Sequence, residues 1–172
     1  IYSQEEKERL LAKQGMDVLI EHPFTKEFSK LSPRDFVTEV LIKKVGMKIL
    51  VVGDDCGFGY KRQGNVELLK EMQKEYDFKL IVIPKLELNG GIVSSSRIRS
   101  LLREARIEEA NSLLSSPFLV YGPVVQGNHM GKDILGVPTA NQIPNPEKLL
   151  PPNGVYVSRI TIKNQVYYGI SN

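Results

Sequence analysis

The sequence contains very few of the residues that form disulfides or bind zinc. It has a single cysteine, Cys56, and two histidines, His22 and His129, among 172 residues. One cysteine cannot form an internal disulfide, which suits a reducing compartment, and we therefore expect a cytoplasmic protein. One cysteine and two histidines are also too few for a typical zinc site built from these residue types.

Long apolar segments and long basic segments are also absent. No apolar run approaches the ~20 residues that are needed to span a membrane. The net charge is +3, and no run of lysine and arginine reaches the density of a nucleic-acid-binding patch. We therefore expect neither a membrane nor a nucleic acid as partner, and a small anionic ligand explains the weak positive charge equally well.

Residues 1 to about 114 alternate helical and strand patterns. Ser3 and Glu6 have the spacing of a capping box, and Ser32-Pro33 supplies an N-cap and a first helical residue. Short apolar runs predict buried strands at residues 17–20, 49–52 and 80–83. Further helical patterns cover residues 66–76, 96–102 and 107–114. The alternation predicts an α/β fold with a parallel sheet and helices on both faces.

The composition changes at Ser115-Ser116-Pro117. Strand-like runs follow at residues 155–157, 159–162 and 166–168, and the last two flank Lys163-Asn164-Gln165 as a predicted hairpin. We therefore predict an α/β domain over residues 1–115 and an all-β domain over residues 116–172. So few strands would leave a sheet edge open, and we expect both domains to be incomplete, with the sequence cut at both ends.

A first candidate site is the glycine-rich segment from Gly53 to Gly59, directly after a predicted strand. Ligands bind at the carboxyl ends of strands in open parallel sheets, and glycines let the backbone approach a ligand closely. A flexible turn between strand and helix is the alternative interpretation. Because no histidine lies near Cys56 in the sequence, we expect this residue to be a small apolar side chain and not a nucleophile.

A second candidate site is the run of three serines, Ser94 to Ser96, before an amphipathic helix that carries Arg97 and Arg99 in its first turn. Backbone N–H groups, the helix dipole, hydroxyls and guanidinium groups all favour a phosphate here. Arginines in a first turn oppose the helix dipole, so helix stability does not explain them. An ordinary serine N-cap with solvated arginines is the alternative. Apolar residues flank Arg99, which we expect to be partly buried.

A third candidate site runs from Gly127 to Asn141 and includes Gly131, Lys132 and Thr139. The backbone N–H groups of a glycine-rich loop with a lysine can surround phosphates. The side-chain oxygens of Thr139 and Asn141 are hard donors of the kind that Mg²⁺ prefers. A long hairpin loop without a ligand is the alternative interpretation.

These three segments, in this order, resemble the prokaryotic bifunctional riboflavin kinase/FMN adenylyltransferase family, whose members are also termed FAD synthetases. The resemblance runs essentially from end to end and is carried by residues 24–41, 51–53, 57–59, 64–65, 94–99, 138–141 and 150–156. Pro138-Thr139-Ala140-Asn141, followed by the segment 152–156, resembles the riboflavin kinase module. The serine–arginine segment 94–99 resembles the adenylyltransferase module.

The resemblance implies a nucleotidyltransferase-type, Rossmann-like parallel-sheet domain followed by a Greek-key β-barrel of the riboflavin kinase type. It implies a transferase with two successive reactions, both with Mg²⁺. ATP phosphorylates riboflavin to FMN, and a second ATP adenylylates FMN to FAD with release of pyrophosphate. In such reactions the protein mainly positions the reactants and neutralises charge.

The resemblance also implies roles for individual residues. The phosphate-binding motif of the adenylyltransferase site is matched by Ser95, Ser96, Arg97 and Arg99. Asp55 and Phe58 match the loop that lines the nucleotide and flavin pocket. In the kinase site, Thr139 and Asn141 match the Mg·ATP ligands, and the phosphate flap is matched by Gly127, Gly131 and Lys132. We expect the catalytic residues of both sites to lie outside this sequence.

The sequence departs from the family pattern at two positions in these segments. Ser96 stands where the family more often has threonine, and Cys56 stands where an aromatic residue is usual. Two other functions fit the same motifs: a nucleotidyltransferase for another substrate, and a nucleotide- or flavin-binding module that has lost catalysis. A histidine-containing motif upstream and a glutamate downstream would favour the enzyme.

Overall fold

The structure is a computed structural model, and it describes residues 1–126, 139–163 and 165–172. The helices are α1 (Gln4–Lys13), α2 (Pro33–Asp35), α3 (Val66–Glu75), α4 (Ser95–Arg103) and α5 (Ile107–Leu113), with a π-helix over Phe36–Lys44 and 3₁₀ turns over Phe28–Lys30 and Tyr60–Arg62. The strands are β1 (Ile49–Gly53), β2 (Lys79–Ile83), β3 (Glu87–Leu88), β4 (Gly91–Ile92), β5 (Val124–Val125), β6 (Asn141–Gln142), β7 (Tyr156–Ile162) and β8 (Gln165–Ser171).

The chain forms two compact units, each with its own buried apolar cluster. We refer to Ile20–Ile92 as the central unit, and to Ile1–Leu19 together with Val93–Asn172 as the terminal unit. Helices are therefore mixed with one parallel sheet and small antiparallel sheets, as the α/β and β patterns predicted. The domain boundary predicted near residue 115 lies within the terminal unit and stays a prediction.

The central unit is built around a parallel pair of strands joined by a helix. β1 and β2 pair in parallel from Ile49 opposite Lys79 to Gly53 opposite Ile83, and α3 connects them. Residues from the π-helix, α3 and the sheet form one cluster, whose buried members are Val37, Leu69, Met72 and Phe78. On the opposite face, Ile49 and Val51 are 58% and 57% exposed. Within this unit the helices cover one face of the sheet, whereas we predicted both.

Local sequence signals start and end the first helix of the central unit. The Ser32 hydroxyl accepts a hydrogen bond from the Asp35 N–H (3.1 Å), and Pro33 is the first helical residue of α2. The π-helix follows α2 directly. Gly46, just beyond it, has a φ of +71°, which glycine adopts without a steric penalty. The sequence-based prediction of this helical segment is confirmed.

The strand predicted at residues 17–20 is wrong. This segment follows α1 but has no regular structure, and Val18 and Ile20 are 70% and 65% exposed. A strand requires a neighbouring strand that satisfies its backbone N–H and C=O groups. No strand in the described ranges pairs with this segment. The parallel sheet therefore has two strands there, not the three that the apolar runs predicted.

The terminal unit contains three helices and two antiparallel strand pairs. The capping box of α1 is confirmed: the Ser3 hydroxyl accepts from the Glu6 N–H (3.3 Å), and the Glu6 carboxylate accepts from the Ser3 N–H (2.8 Å). α4 and α5 share a buried cluster of Ile98, Leu101, Leu102, Ala110 and Leu113. The predicted helices at residues 96–102 and 107–114 are thus confirmed.

The strand pairs of the terminal unit are short except for one hairpin. β5 pairs with β6, and β7 pairs with β8, both antiparallel. The predicted hairpin is confirmed, with Ile162 opposite Gln165, and the predicted runs 155–157 and 159–162 are joined in the single strand β7, which begins at Tyr156. Every sheet in the described part of the chain has two strands, so no closed barrel is present there. No helix in those ranges has the length and hydropathy that crossing a bilayer requires.

Candidate functional site

The loop after β1 carries Asp55 at the carboxyl edge of the parallel sheet. The Asp54 N–H donates to the Ile83 carbonyl at the end of β2 (3.0 Å), which draws the two strand ends together. The Asp55 carboxylate forms an ion pair with Lys85, which follows β2 (3.2 Å). Charged side chains from two successive loops therefore meet at the edge where open parallel sheets bind ligands.

Phe58 is fixed within this loop by a backbone bridge. The Phe58 N–H donates to the Gly64 carbonyl (3.2 Å), and the Gly64 N–H donates back to the Phe58 carbonyl (2.9 Å). A Cβ atom at Gly64 would lie 2.6 Å from the Phe58 ring, so this close approach requires glycine. The Phe36 ring lies 6.1 Å from the Phe58 ring between centroids. The ring is therefore half-buried in a position that packing determines.

Gly59 attaches the loop to the start of α2. Its φ is +69°, and a Cβ atom there would lie 2.6 Å from Pro33 Cα. The next residue, Tyr60, donates its N–H to the Leu31 carbonyl (2.8 Å). The loop between β1 and α3 is consequently held at several points of its own backbone, which limits its freedom before any ligand binds.

Arg62 lies above the backbone of this loop, a feature that sequence analysis missed. Lys61 and Arg62 both have left-handed φ values, +49° and +57°. A Cβ atom at Gly57 would lie 2.8 Å from the Arg62 Nε, so the guanidinium occupies the space that a side chain at residue 57 would need. The sequence shows a glycine at residue 57. It does not show that the guanidinium five residues later occupies the space that a larger side chain would need.

Cys56 lies in the same loop and is half-buried. Burial raises the pKa of the Cys56 thiol, and the nearby carboxylates of Asp55 and Glu67 raise it further. The thiol therefore stays protonated near neutral pH, and a protonated thiol is a poor nucleophile. This supports the expectation that Cys56 is not a nucleophile.

The serine–arginine segment forms the first turn of α4. Ser94 is the N-cap, and its hydroxyl accepts from the Arg97 N–H (3.2 Å), whereas Ser95 and Ser96 are exposed. Arg97 is half-buried and Arg99 is exposed, so the expectation that Arg99 is partly buried is wrong. One position along a helix turns the side chain by about 100°, which takes Arg99 away from the buried face beside it. Two hydroxyls and one guanidinium are thus open to solvent at this helix start.

The residues predicted to bind Mg·ATP in the riboflavin kinase module lie at the start of β6. Asn141 is the first residue of β6, opposite Val125, and Thr139 precedes it by two positions. Both Thr139 and Asn141 are exposed, which leaves their side-chain oxygens accessible. The three flap residues predicted from the sequence lie outside the described residues: Gly127, Gly131 and Lys132.

A buried ion pair in the terminal unit was not foreseen. The Glu6 carboxylate and the Lys148 ammonium are 2.7 Å apart, and their side chains are 1% and 0% exposed. Glu6 also accepts hydrogen bonds from the Ser3 N–H and the Tyr121 N–H, both at 2.8 Å. Burial alone would raise the pKa of Glu6, but the hydrogen bonds from Lys148, Ser3 and Tyr121 hold it below its usual value. The carboxylate therefore stays ionised inside the unit.

Lys148 is enclosed by aromatic rings as well as by its carboxylate partner. Its ammonium lies 4.6 Å from the centroid of the Tyr2 ring and 4.2 Å from that of Phe118, and it donates to the Leu119 carbonyl. Burial lowers the pKa of Lys148, while Glu6 opposes this shift. The partners of Lys148 come from both segments of the terminal unit, so its contacts link Ile1–Leu19 to Val93–Asn172.

Comparison with known families divides the chain into two matched segments. The family model described as FAD synthetase matches residues 1–97, and the one described as riboflavin kinase matches residues 114–172. The first segment contains the loop after β1 and the start of α4 up to Arg97. The second contains Thr139 and Asn141.

Relatives that match the chain along most of its length carry both names. A bifunctional riboflavin kinase/FMN adenylyltransferase from Buchnera aphidicola (subspecies Schizaphis graminum) is 41% identical over 91% of this chain and 50% of its own length. The Escherichia coli K12 protein of the same name is 36% identical over 90% of this chain and 49% of its own length. The chain therefore spans about half the length of the curated relatives that it matches.

A solved structure with the same fold covers nearly the whole chain. This crystal structure, described as a macrolide-efflux protein from Streptococcus pneumoniae, superposes with a TM-score of 0.83 at 32% sequence identity. The match covers 98% of this chain and 53% of that one. Because the FAD synthetase model alone matches residues 1–97 of the 172, the chain belongs to the FAD synthetase family.

Proposed function

We propose that the full-length protein makes flavin cofactors by phosphorylating riboflavin to FMN and adenylylating FMN to FAD. The observation that carries this proposal is that one chain matches both the FAD synthetase and the riboflavin kinase family models. We place the boundary between the two modules near residue 115, with a nucleotidyltransferase-type, Rossmann-like module over residues 1–115. A Greek-key β-barrel of the riboflavin kinase type would begin at residue 116.

The adenylylation step joins two anionic substrates. A phosphate oxygen of FMN attacks the α-phosphorus of ATP, a new P–O bond forms, and the bond to the α–β bridging oxygen breaks so that pyrophosphate leaves. The start of α4 suits the polyphosphate, because backbone N–H groups, the hydroxyls of Ser95 and Ser96 and the guanidinium groups of Arg97 and Arg99 all favour negative charge. Their main contribution is to neutralise the charge that moves onto pyrophosphate.

The loop after β1 suits the nucleotide or flavin ring in the same reaction. Phe58 offers one ring whose position is fixed by Gly64 and Phe36, and stacking on a fixed ring needs little further ordering. Asp55 is oriented by Lys85 at the carboxyl end of the parallel sheet. Its carboxylate can accept hydrogen bonds from ribose hydroxyls or from ring N–H groups.

The kinase step uses the second module. The terminal ribityl hydroxyl of riboflavin loses its proton to a general base and attacks the γ-phosphorus of ATP, and ADP leaves as the β–γ bridge breaks. Thr139 and Asn141 provide two exposed oxygen donors, a set that fits Mg²⁺ because this ion takes a few protein oxygens together with phosphate oxygens and water. Bound Mg²⁺ would neutralise phosphate charge, and we assign the phosphate flap to Gly127, Gly131 and Lys132.

All partners in this proposal are small molecules: ATP, riboflavin, FMN and FAD. The weak positive charge of +3 is compatible with such anionic ligands. We place the activity in the cytoplasm, because the single cysteine, Cys56, suits a reducing compartment.

The proposal is tested by incubating the purified full-length protein with riboflavin and Mg·ATP and separating the products by chromatography. We expect FMN to appear first and FAD to follow, and chelation of Mg²⁺ to stop both steps. Supplied FMN isolates the adenylylation step, and omission of riboflavin serves as the blank. If neither FMN nor FAD forms, the enzyme proposal fails, and a binding module without catalysis takes its place.

A further inference from the structure

Arg62 is held in a strained turn that several contacts enforce. Lys61 and Arg62 are consecutive residues with left-handed φ values of +49° and +57°. Each such non-glycine residue is disfavoured by steric contacts, and strain of this kind persists where the surrounding structure enforces it and is concentrated at binding sites. The turn is enclosed by the backbone bridge between Phe58 and Gly64 and by the close approach of Gly59 to Pro33.

The Arg62 guanidinium rests on backbone and not on a carboxylate. From the Cβ position that Gly57 lacks, the distances are 2.8 Å to Nε, 3.0 Å to Nη2 and 3.2 Å to Cζ, so the planar group covers that glycine. In the described ranges of the chain, no carboxylate forms an ion pair with Arg62, whereas Lys85 pairs with Asp55 and Arg34 pairs with Glu75. A positioned guanidinium with no carboxylate partner can receive a phosphate through two parallel hydrogen bonds.

We propose that Arg62 binds the phosphate group of FMN during adenylylation, an inference that rests on the proposed function. FMN combines a planar ring with a phosphate group. The loop after β1 offers an aromatic ring, Phe58, and a guanidinium group, Arg62. Phe58 is the next residue after Gly57, and the Arg62 guanidinium covers Gly57. This loop begins at the carboxyl end of β1, where parallel sheets bind ligands.

The two anionic substrates then use different cations. The exposed hydroxyls and the two arginines at the start of α4, of which Arg99 alone is exposed, are assigned to the polyphosphate of ATP, and Arg62 belongs to the separate loop after β1. A phosphate on Arg62 could in principle come from FMN or from ATP, since both present the same oxygen acceptors. Measuring the KM of each substrate separately distinguishes these two sources.

The structure provides two independent ways of removing the guanidinium from this position. Arg62→Met removes the charge and keeps an unbranched apolar side chain, and Arg62→Lys keeps a charge without the planar fork. Gly57→Ala keeps the arginine at position 62 unchanged. It inserts a methyl group 2.8 Å from the Arg62 Nε. Because this contact is to the end of a flexible side chain, the guanidinium moves aside while the backbone keeps its path. Lys61→Gln is the matched control, since it removes the adjacent charge from the same turn.

We expect Arg62→Met to raise the KM for FMN in adenylylation by about 10- to 100-fold, the effect of losing a charge-assisted phosphate contact. The KM for ATP and the riboflavin kinase rate of the same protein should not change. Arg62→Lys should restore part of the loss, and Gly57→Ala should resemble Arg62→Met. Because both changes remove one contact, the double variant should be no worse than Arg62→Met alone. Lys61→Gln should behave as the unmodified protein.

Three results would overturn the inference. The first is an unchanged KM for FMN in both Arg62→Met and Gly57→Ala. The second is a rise in the KM for ATP in place of that for FMN, which would assign the arginine to the ATP phosphates. The third applies if the Arg62→Met protein unfolds and therefore loses both enzyme activities equally. Gly57→Ala then replaces it as the test, and a normal KM for FMN in Gly57→Ala would overturn the inference. An unmodified protein that makes no FAD from supplied FMN contradicts the proposed function itself and not this residue assignment alone.

Discussion

Replacing Lys148 by methionine should destabilise the protein far more than the same change at an exposed lysine. The change leaves the Glu6 carboxylate, which is 1% exposed, without its cation. It also removes the ammonium that lies against the Tyr2 and Phe118 rings, where methionine can still pack. The carboxylate keeps hydrogen bonds from the Ser3 and Tyr121 N–H groups, which compensate part of the lost attraction.

The size of the effect follows from the burial of both charges. Removing one partner of a buried ion pair typically costs about 3–5 kcal/mol. Because Glu6 retains two backbone donors, we expect Lys148→Met to be near the lower end, about 3 kcal/mol.

The measurement is urea unfolding of the full-length protein, followed by circular dichroism, with Lys43→Met as the control. Lys43 pairs with Glu39 at 2.7 Å, but the two side chains are 66% and 51% exposed, so its loss should have little effect. The double variant Glu6→Gln/Lys148→Met should be more stable than the sum of the single changes predicts, because it leaves no unpaired charge. Equal stability of Lys148→Met and Lys43→Met would refute the reasoning.

The pH dependence of Lys148→Met provides a second check. In the unmodified protein the pKa of Glu6 is held below its usual value against the opposing effect of burial. The ionised Glu6 therefore stabilises the folded state at neutral pH, and this stabilisation is lost as the pH falls through the lowered pKa. Without Lys148, burial dominates and the pKa of Glu6 should rise. The stability deficit of the variant should therefore be largest near pH 7 and shrink as the pH falls through the raised pKa of Glu6, where the carboxyl becomes neutral.

Three further changes test the loop and the two sites. Gly59→Ala should lower the free energy of unfolding by about 2 kcal/mol or more, because it combines a φ of +69° with a contact of 2.6 Å to Pro33 Cα. Gly90 has a φ of +73° but open space around its missing Cβ, so Gly90→Ala should show only the smaller effect of backbone strain in the same urea experiment. Thr139→Val should slow riboflavin phosphorylation by roughly 30- to 1000-fold while adenylylation of supplied FMN continues, and equal loss of both rates would contradict the assignment. Arg99→Ala should weaken ATP binding in the adenylylation step by about 10-fold in calorimetry with an unchanged melting temperature. A normal affinity with a higher melting temperature would support the ordinary N-cap.

Sequence patterns predicted the parts of the fold that depend on neighbouring residues. The capping box of Ser3 and Glu6, the helix start at Ser32 and the hairpin between β7 and β8 all use partners that lie close together in the sequence. Their geometry follows from short-range rules of helix capping and strand pairing. For the same reason, the start of α4 was located correctly from its serines.

The features that the sequence did not predict depend on distant partners. The apolar run 17–20 looks like a strand, yet strand formation depends on a neighbour that the run itself does not specify. Lys148 follows two prolines and has no local pattern of a buried residue, because its partner lies 142 positions away. The position of Arg62 above Gly57 needs the left-handed turn between them, which residue types alone do not reveal.

The separation between Glu6 and Lys148 also sets an order of events while the chain is being synthesised. The helix α1 can form its capping box as soon as Glu6 has emerged, but the ammonium that Glu6 needs inside the unit is made 142 residues later. At about 5–20 residues per second, that delay is roughly 7–30 s. During this interval the Glu6 carboxylate has to stay in water, so the two segments of the terminal unit can close around it only after residue 148 has left the ribosome.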